Sequence, residues 1–138
     1  MDIHYSEDRP AAAEVIDLFR AAALNGPLDE PDRVRRMLEQ AQHLVVARAD
    51  GGELVGLVRV LTDFAFNAFV ADLAVHPDHQ RRGIGAELVR RAVEPYPGVK
   101  FVVHPGHDSG AFWARQRFVP ALGCLVRPRA TGPSRATG

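Results

Sequence analysis

Ala71-Asp72-Leu73-Ala74-Val75-His76-Pro77-Asp78-His79-Gln80-Arg81-Arg82-Gly83-Ile84-Gly85-Ala86 joins two kinds of periodicity, and its reading decides the fold. Upstream, Phe69, Ala71, Leu73 and Val75 alternate with Val70, Asp72 and Ala74, the period of a strand, until Pro77 stops it. Downstream, Ile84, Leu88, Val89, Ala92 and Val93 fall on one helical face, and Glu87, Arg90, Arg91 and Glu94 on another. Glycines where a strand turns into a helix let the backbone approach a ligand closely, with its amide hydrogens outward. The helix dipole and those donors suit a phosphate, and Arg81 and Arg82 add charge-assisted hydrogen bonds. Gln80–Ala86 reads as a pyrophosphate cradle. The plainer reading is a glycine-rich structural turn.

Leu73, Val75, Pro77, Gln80, Gly83 and Gly85 stand in register and without gaps. Together they resemble the signature of the GNAT-type acyltransferases, a strand ending in Leu-x-Val-x-Pro followed by Gln/Arg-x-x-Gly-x-Gly/Ala. The resemblance extends more loosely over about the first 129 residues. It implies acetyl-coenzyme A as cosubstrate, with the pyrophosphate on Gln80, Arg81, Arg82, Gly83, Ile84, Gly85 and Ala86. The pantetheine arm would pair, like an added strand, with the backbone of Leu73, Ala74 and Val75. The implied architecture is an α/β (α+β) fold with a mixed, mostly antiparallel sheet and helices on both faces. That sheet splays between the central strand and its parallel neighbour.

Bulk properties fit this. A chain of 138 residues is one domain with room for a real core, here expected over residues 1–129, with 130–138 a disordered tail. Net charge is zero and the signs are interleaved, so there is no electrostatic case for nucleic acid or an anionic membrane. Cys124 is the only cysteine, which excludes an intramolecular disulfide and fits a reducing compartment. With neither a signal peptide nor a long apolar run, a cytoplasmic location is the expectation. Oligomeric state is open, a homodimer included.

In chain order, Asp2–Tyr5 can open a strand, and Ala12, Val15, Ile16, Phe19 and Ala23 stripe a helix over 11–24 with Pro10 in its first turn. Asp29-Glu30-Pro31-Asp32 starts a second helix, with Val34, Met37, Leu38 and Ala41 inward. His43–Ala47 and Leu54–Leu61 form a hairpin about Asp50-Gly51-Gly52. After the central strand and its helix come a strand over Val99–Val103, parallel to the central one, a helix over 108–116 and a last strand over Ala121–Arg127.

Acetyl transfer to an amine needs a neutral amine, donors for the developing oxyanion, and a proton for the leaving thiolate. Backbone amides near Leu73–Val75 can be the donors. Asp72, inside the cofactor strand, is the candidate catalytic base; the alternative is that it pairs with a neighbour such as Arg59 or orders a backbone bulge. Asp63 is second choice, with a turn-forming role favoured. The family's Phe/Tyr-Tyr-x-x-x-Gly-Phe ending reads Phe112-Trp113-Ala114-Arg115-Gln116-Arg117-Phe118 here. An indole cannot act as a general acid where the resemblance implies a tyrosine near the cofactor sulfur, and Arg117 replaces a residue that readily takes positive φ. Trp113 also reads as a core aromatic. His76-x-x-His79 and His104-x-x-His107 lack the density of a metal site. The leading function is an N-acetyltransferase acting on a primary amine, small-molecule or peptide, in a ternary complex. The alternative is a module that binds or senses acetyl-coenzyme A without catalysis.

Overall fold

In the computed structural model, which describes residues 2–130, five strands lie in the order β1-β2-β3-β4-β5. They are β1 (Ile3–Ser6), β2 (His43–Ala49), β3 (Leu54–Thr62), β4 (Asn67–Val75) and β5 (Lys100–Val103). The first four pair antiparallel, and β5 joins β4 in parallel. The helices are α1 (Ala12–Ala21), α2 (Pro31–Gln40), α3 (Ile84–Val93) and α4 (Gly110–Arg115). Among the described residues, no helix is long and apolar enough to cross a membrane.

Apolar residues on both faces of the sheet explain its two covers. Leu44, Val46, Leu57 and Ala74 join Val15, Leu18, Phe19, Val34 and Leu38 in a core under α1 and α2. Val45, Val58, Val60, Ala68 and Val70 join Ile84, Leu88, Val89, Ala92 and Trp113 in a core under α3 and α4. Pro10 lies just outside α1, whose N-cap is Ala11; Glu14 reaches back to the Ala11 N–H at 3.0 Å.

One irregularity shapes the centre. Arg59 pairs with Asp72, but Val60 pairs with Val70, so Ala71 is an extra residue on β4. Such a bulge bends its strand and shifts which side each residue faces. The strict alternation expected for β4 is therefore broken. Ala68 and Val70 pack under α3, as do Leu73 and Val75, while Ala74 packs under α1 and α2. The ladder to β5 runs from Asn67↔Lys100 only to Val70↔Val103, so the two strands part at the bulge.

Two helices end on left-handed residues that are not glycine. At the end of α1, Leu24 N–H reaches Phe19 C=O at 2.9 Å and Ala23 N–H reaches Arg20 C=O at 3.2 Å, with Ala23 at φ 57°. At the end of α4, Phe118 N–H meets Trp113 C=O and Arg117 N–H meets Ala114 C=O, both at 3.0 Å, with Arg117 at φ 69°. Both are Schellman motifs, in which this position is usually glycine. Packing holds the second one: the Trp113 and Phe118 rings meet edge-to-face at 5.0 Å.

The expected last strand over Ala121–Arg127 does not form. These residues pair with no strand, and Leu122 and Leu125 are fully exposed with Cys124 beside them. Pro120 removes a ladder donor and Gly123, at φ 84°, breaks the extended run, so apolar content alone does not bring it to the sheet. The tail expected over 130–138 lies, beyond residue 130, outside the described residues.

A left-handed alanine or arginine costs about 1–2 kcal/mol, part of which glycine returns as unfolded-state entropy. Arg117→Gly and Ala23→Gly should each therefore stabilise the fold by about 0.5–1 kcal/mol, raising Tm by about 2–4 °C. A drop in Tm for both would mean that these turns are not the helix ends described. A second expectation concerns acid. Glu87 accepts from Arg90 at 2.6 and 2.8 Å and from Arg91 at 2.6 Å, and chiefly through Arg90 its carboxyl is pushed down to about 2 from 4.5. A lowered carboxylate pKa contributes stability above the unfolded value, lost as pH falls from about 4.5 through about 2. Discounted for solvent screening, this amounts to about 1 kcal/mol. Urea titrations at pH 7 and pH 3 should show that Glu87→Gln destabilises at the higher pH and much less at the lower.

Candidate functional site

β4 leaves the sheet at Val75, and Pro77–His79 make one 3₁₀ turn capped by His76, whose Nδ1 accepts from Asp78 N–H at 3.1 Å. The chain then reaches Arg81 at φ 64° and Gly83, the N-cap of α3, at φ 79°. Gly83 supplies that conformation without strain; Arg81 does not, at a cost of about 1–2 kcal/mol. Glu87 N–H, bonded to Gly83 C=O at 3.0 Å, is the first amide of α3 to find an acceptor. Among the described residues the amides of Ile84, Gly85 and Ala86 take none, and no side chain caps the helix. Arg81, Arg82 and Gly83 are exposed around this ring of donors. Such an end of a helix attracts anions.

Other expected contributors are arranged differently from a simple ring of ligands. Gln80 turns back, donating from Nε2 to Val75 C=O at 3.0 Å, so it pins the loop to the end of β4. The Ile84 side chain is 2% exposed in the core and offers the site only its amide. At Gly85 an added Cβ would stand 3.4 Å from the Phe112 ring and 3.7 Å from Val75. Gly85 therefore lets α4 close on α3, and a bulky residue there disturbs packing as well as any ligand. Phe112 opens the aromatic ending read in the sequence, but its contact with Gly85 is visible only in the fold.

The cradle continues into the gap between β4 and β5. Beyond Val70, β5 no longer pairs with β4, so the edge carrying Leu73, Ala74 and Val75 faces a space rather than a strand. Their side chains bury on the two sheet faces, which leaves the backbone to face that space. On the α1/α2 side of the same stretch, Arg59 Nε donates to Asp72 Oδ2 at 2.6 Å, each side chain 12% exposed. The expected alternative for Asp72, a bond to Arg59, is thus present. Arg59 engages one carboxylate oxygen and fixes the rotamer of the group.

Asp63 forms a turn: its Oδ1 accepts from the amides of Ala65, Phe66 and Asn67 at 2.8, 2.8 and 3.2 Å. These bonds, Phe66 first, hold its carboxyl below the ordinary range. Trp113 is 6% exposed in the core under α3, edge-to-face with Phe112 and Phe118. The core reading of Trp113 is present in the fold: the indole is the plug that anchors α4. His104 packs on Phe69 at 5.3 Å between ring centres, near the parting of the strands, and His107 is exposed. Among the described residues, no three His, Cys, Asp or Glu side chains gather to hold a metal ion.

The family model for "Acetyltransferase (GNAT) family" matches residues 12–115. A mycothiol acetyltransferase of Salinispora arenicola is 39% identical over 111 residues, covering 75% of this chain and 36% of that protein. Another from Mycobacterium marinum is 30% identical over 122 residues, covering 86% of this chain and 34% of that protein. The chain thus spans about a third of the length of these relatives. A solved GNAT-family acetyltransferase from Streptococcus pneumoniae superposes with TM-score 0.73 at 23% identity, over 93% of this chain and 99% of that one. Glucosamine-6-phosphate N-acetyltransferase from Arabidopsis thaliana gives 0.69 at 12%, over 92% and 98%. Those two likenesses concern the fold. With a family model matched from α1 through α4 around this cradle and gap, the chain belongs to the GNAT family of acetyltransferases.

Proposed function

We propose that the chain is an N-acyltransferase that moves acetyl from acetyl-coenzyme A to a primary amine by direct transfer, with both substrates bound. The observation that carries this reading is continuity. The donor ring at α3, the open edge of β4 and the Asp72 carboxylate follow one another along a single strand and loop.

The fit of the cosubstrate rests on the cradle's chemistry. Unbonded amides at a helix N-terminus, a left-handed glycine and two exposed arginines suit a pyrophosphate. When bound, acetyl-coenzyme A supplies an activated acetyl thioester. The chain's own residues do the rest. The backbone of Leu73, Ala74 and Val75 orients an extended amide-bearing arm by strand addition and offers N–H donors to a polarised carbonyl. Asp72 points to the α1/α2 side of the strand, so an amine entering there meets its carboxylate. Arg59 holds Oδ2, and Asp72 takes the ammonium proton through its other oxygen, directly or by way of a water.

Trp113 has no part in proton transfer from its place in the core; the thiolate's proton comes from solvent or from the ammonium. The alternative of a binding module without catalysis drew on this residue. With the indole accounted for by packing, no observation favours that alternative over transfer. The acceptor is a small molecule or a peptide amine. Mycothiol-related amines belong in the panel to be tried, since two relatives carry that substrate in their names.

Calorimetric titration should show acetyl-coenzyme A binding to the wild type and none to folded Gly83→Asp, which places a carboxylate among the donors. Undiminished affinity in that variant would remove the cradle assignment. Asp72→Asn keeps a hydrogen-bond acceptor for Arg59 and loses the base. Its turnover on the best amine should fall about 10²–10⁴-fold with cofactor affinity within about twofold. Near-normal turnover would leave Asp72 only as the partner of Arg59.

A further inference from the structure

We propose that His79 is a positioning residue for the anion cradle, holding the Arg82 guanidinium against the loop through its Nδ1. The proposal rests on the reading of Gln80–Ala86 as a pyrophosphate site. It assigns a role to a histidine whose sequence spacing suggested only a metal pair.

The 3₁₀ turn of Pro77–His79 rolls His79 inward, to 9% exposure, on the inner side of a loop whose next residues are exposed. Its amide bonds His76 C=O at 2.9 Å, which fixes the backbone of the turn, and its ring lies edge-on to that of His76 at 6.0 Å between ring centres. Nδ1 stands 3.2 Å from Arg82 Nη1. A guanidinium has donors only, so at this bond Nδ1 must be the acceptor, and the neutral ring carries its proton on Nε2. Buried imidazole and exposed arginine thus form a bracket across the loop. The guanidinium carries five N–H donors, so the bond to His79 is one of several it can make at once.

An arginine on an exposed loop loses considerable rotamer freedom when it clamps an anion. If His79 has already restricted that freedom, the ligand meets a pre-organised cation. Losing the bracket should weaken a diphosphate ligand about three- to tenfold, the effect of one side chain immobilised on binding rather than beforehand. Nothing should change for a ligand without phosphate.

The test compares acetyl-coenzyme A with S-acetylpantetheine, which shares the arm and lacks the phosphates. Calorimetry would be run on folded wild type, His79→Asn, His79→Gln and His79→Leu, with Arg82→Gln alone and combined with His79→Leu. The asparagine amide oxygen falls close to the place of Nδ1; the glutamine amide reaches toward that of Nε2. The leucine and glutamine variants should bind acetyl-coenzyme A three- to tenfold more weakly, and His79→Asn should recover most of the loss. Acetylpantetheine affinity and kcat at saturation should hold, and His79→Leu should add nothing once Arg82 is glutamine. Should the leucine variant not fold, the contrast between asparagine and glutamine carries the same decision. Equal losses on both ligands, no loss at all, or additive losses with Arg82→Gln would overturn the positioning role while leaving the cradle in place. A wild type with no preference for acetyl-coenzyme A over acetylpantetheine would overturn the cradle and this role together.

Discussion

The extra residue at Ala71 is the constraint on which the rest of the structure depends. An added residue bends β4 and resets its faces, and the ladder to β5 ends at the same level. All four residues of β5 are spent on Asn67–Val70, so no strand pairs with the backbone of Leu73–Val75 on that side. Five consecutive residues thus leave an edge at the centre of the sheet, where an edge strand is normally a liability to be covered. In the proposed function, a cofactor arm is the strand that completes the sheet.

The same bulge brings Arg59 opposite Asp72. Two charges this deep pay a desolvation cost that their mutual attraction and hydrogen bond must offset. Such pairs are weak evidence for stability, because an apolar pair of similar volume often serves as well. In the proposed function, the pair supplies a carboxylate beside the open strand edge, held in one orientation by the guanidinium.

Local preference is overruled by packing at several joints. Ala23, Arg117 and Arg81 take left-handed backbone that glycine adopts more readily. The first two close helices whose neighbouring apolar side chains dock on the cores, and those contacts hold the turns. Arg81 is different. It is exposed, anchors no core, and sits one residue from a second cation in the loop. In the proposed function, that strain belongs to the loop that holds the pyrophosphate.

Much of this protein was legible in its sequence. The alternation before Pro77, the glycines at 83 and 85 and the helical stripe from Ile84 located the central strand, the loop after it and α3, because each depends on neighbours close along the chain. Long-range geometry decided the rest. Period-two alternation cannot show a bulge, so Val70 and Asp72 read as one face although they lie on opposite ones. Only β3 alongside β4 reveals the extra residue. Trp113 fits the place of a family tyrosine, yet the closeness of α4 to α3, permitted by Gly85, sends it into the core. Ala121–Arg127 has the composition of a strand and lacks a partner, since strand formation is a property of pairs. His79 and Arg82 stand three apart with no stated relation until a single 3₁₀ turn folds one beneath the other. What one stretch of chain can settle by its own periodicity was readable; what two stretches settle by meeting required the tertiary structure.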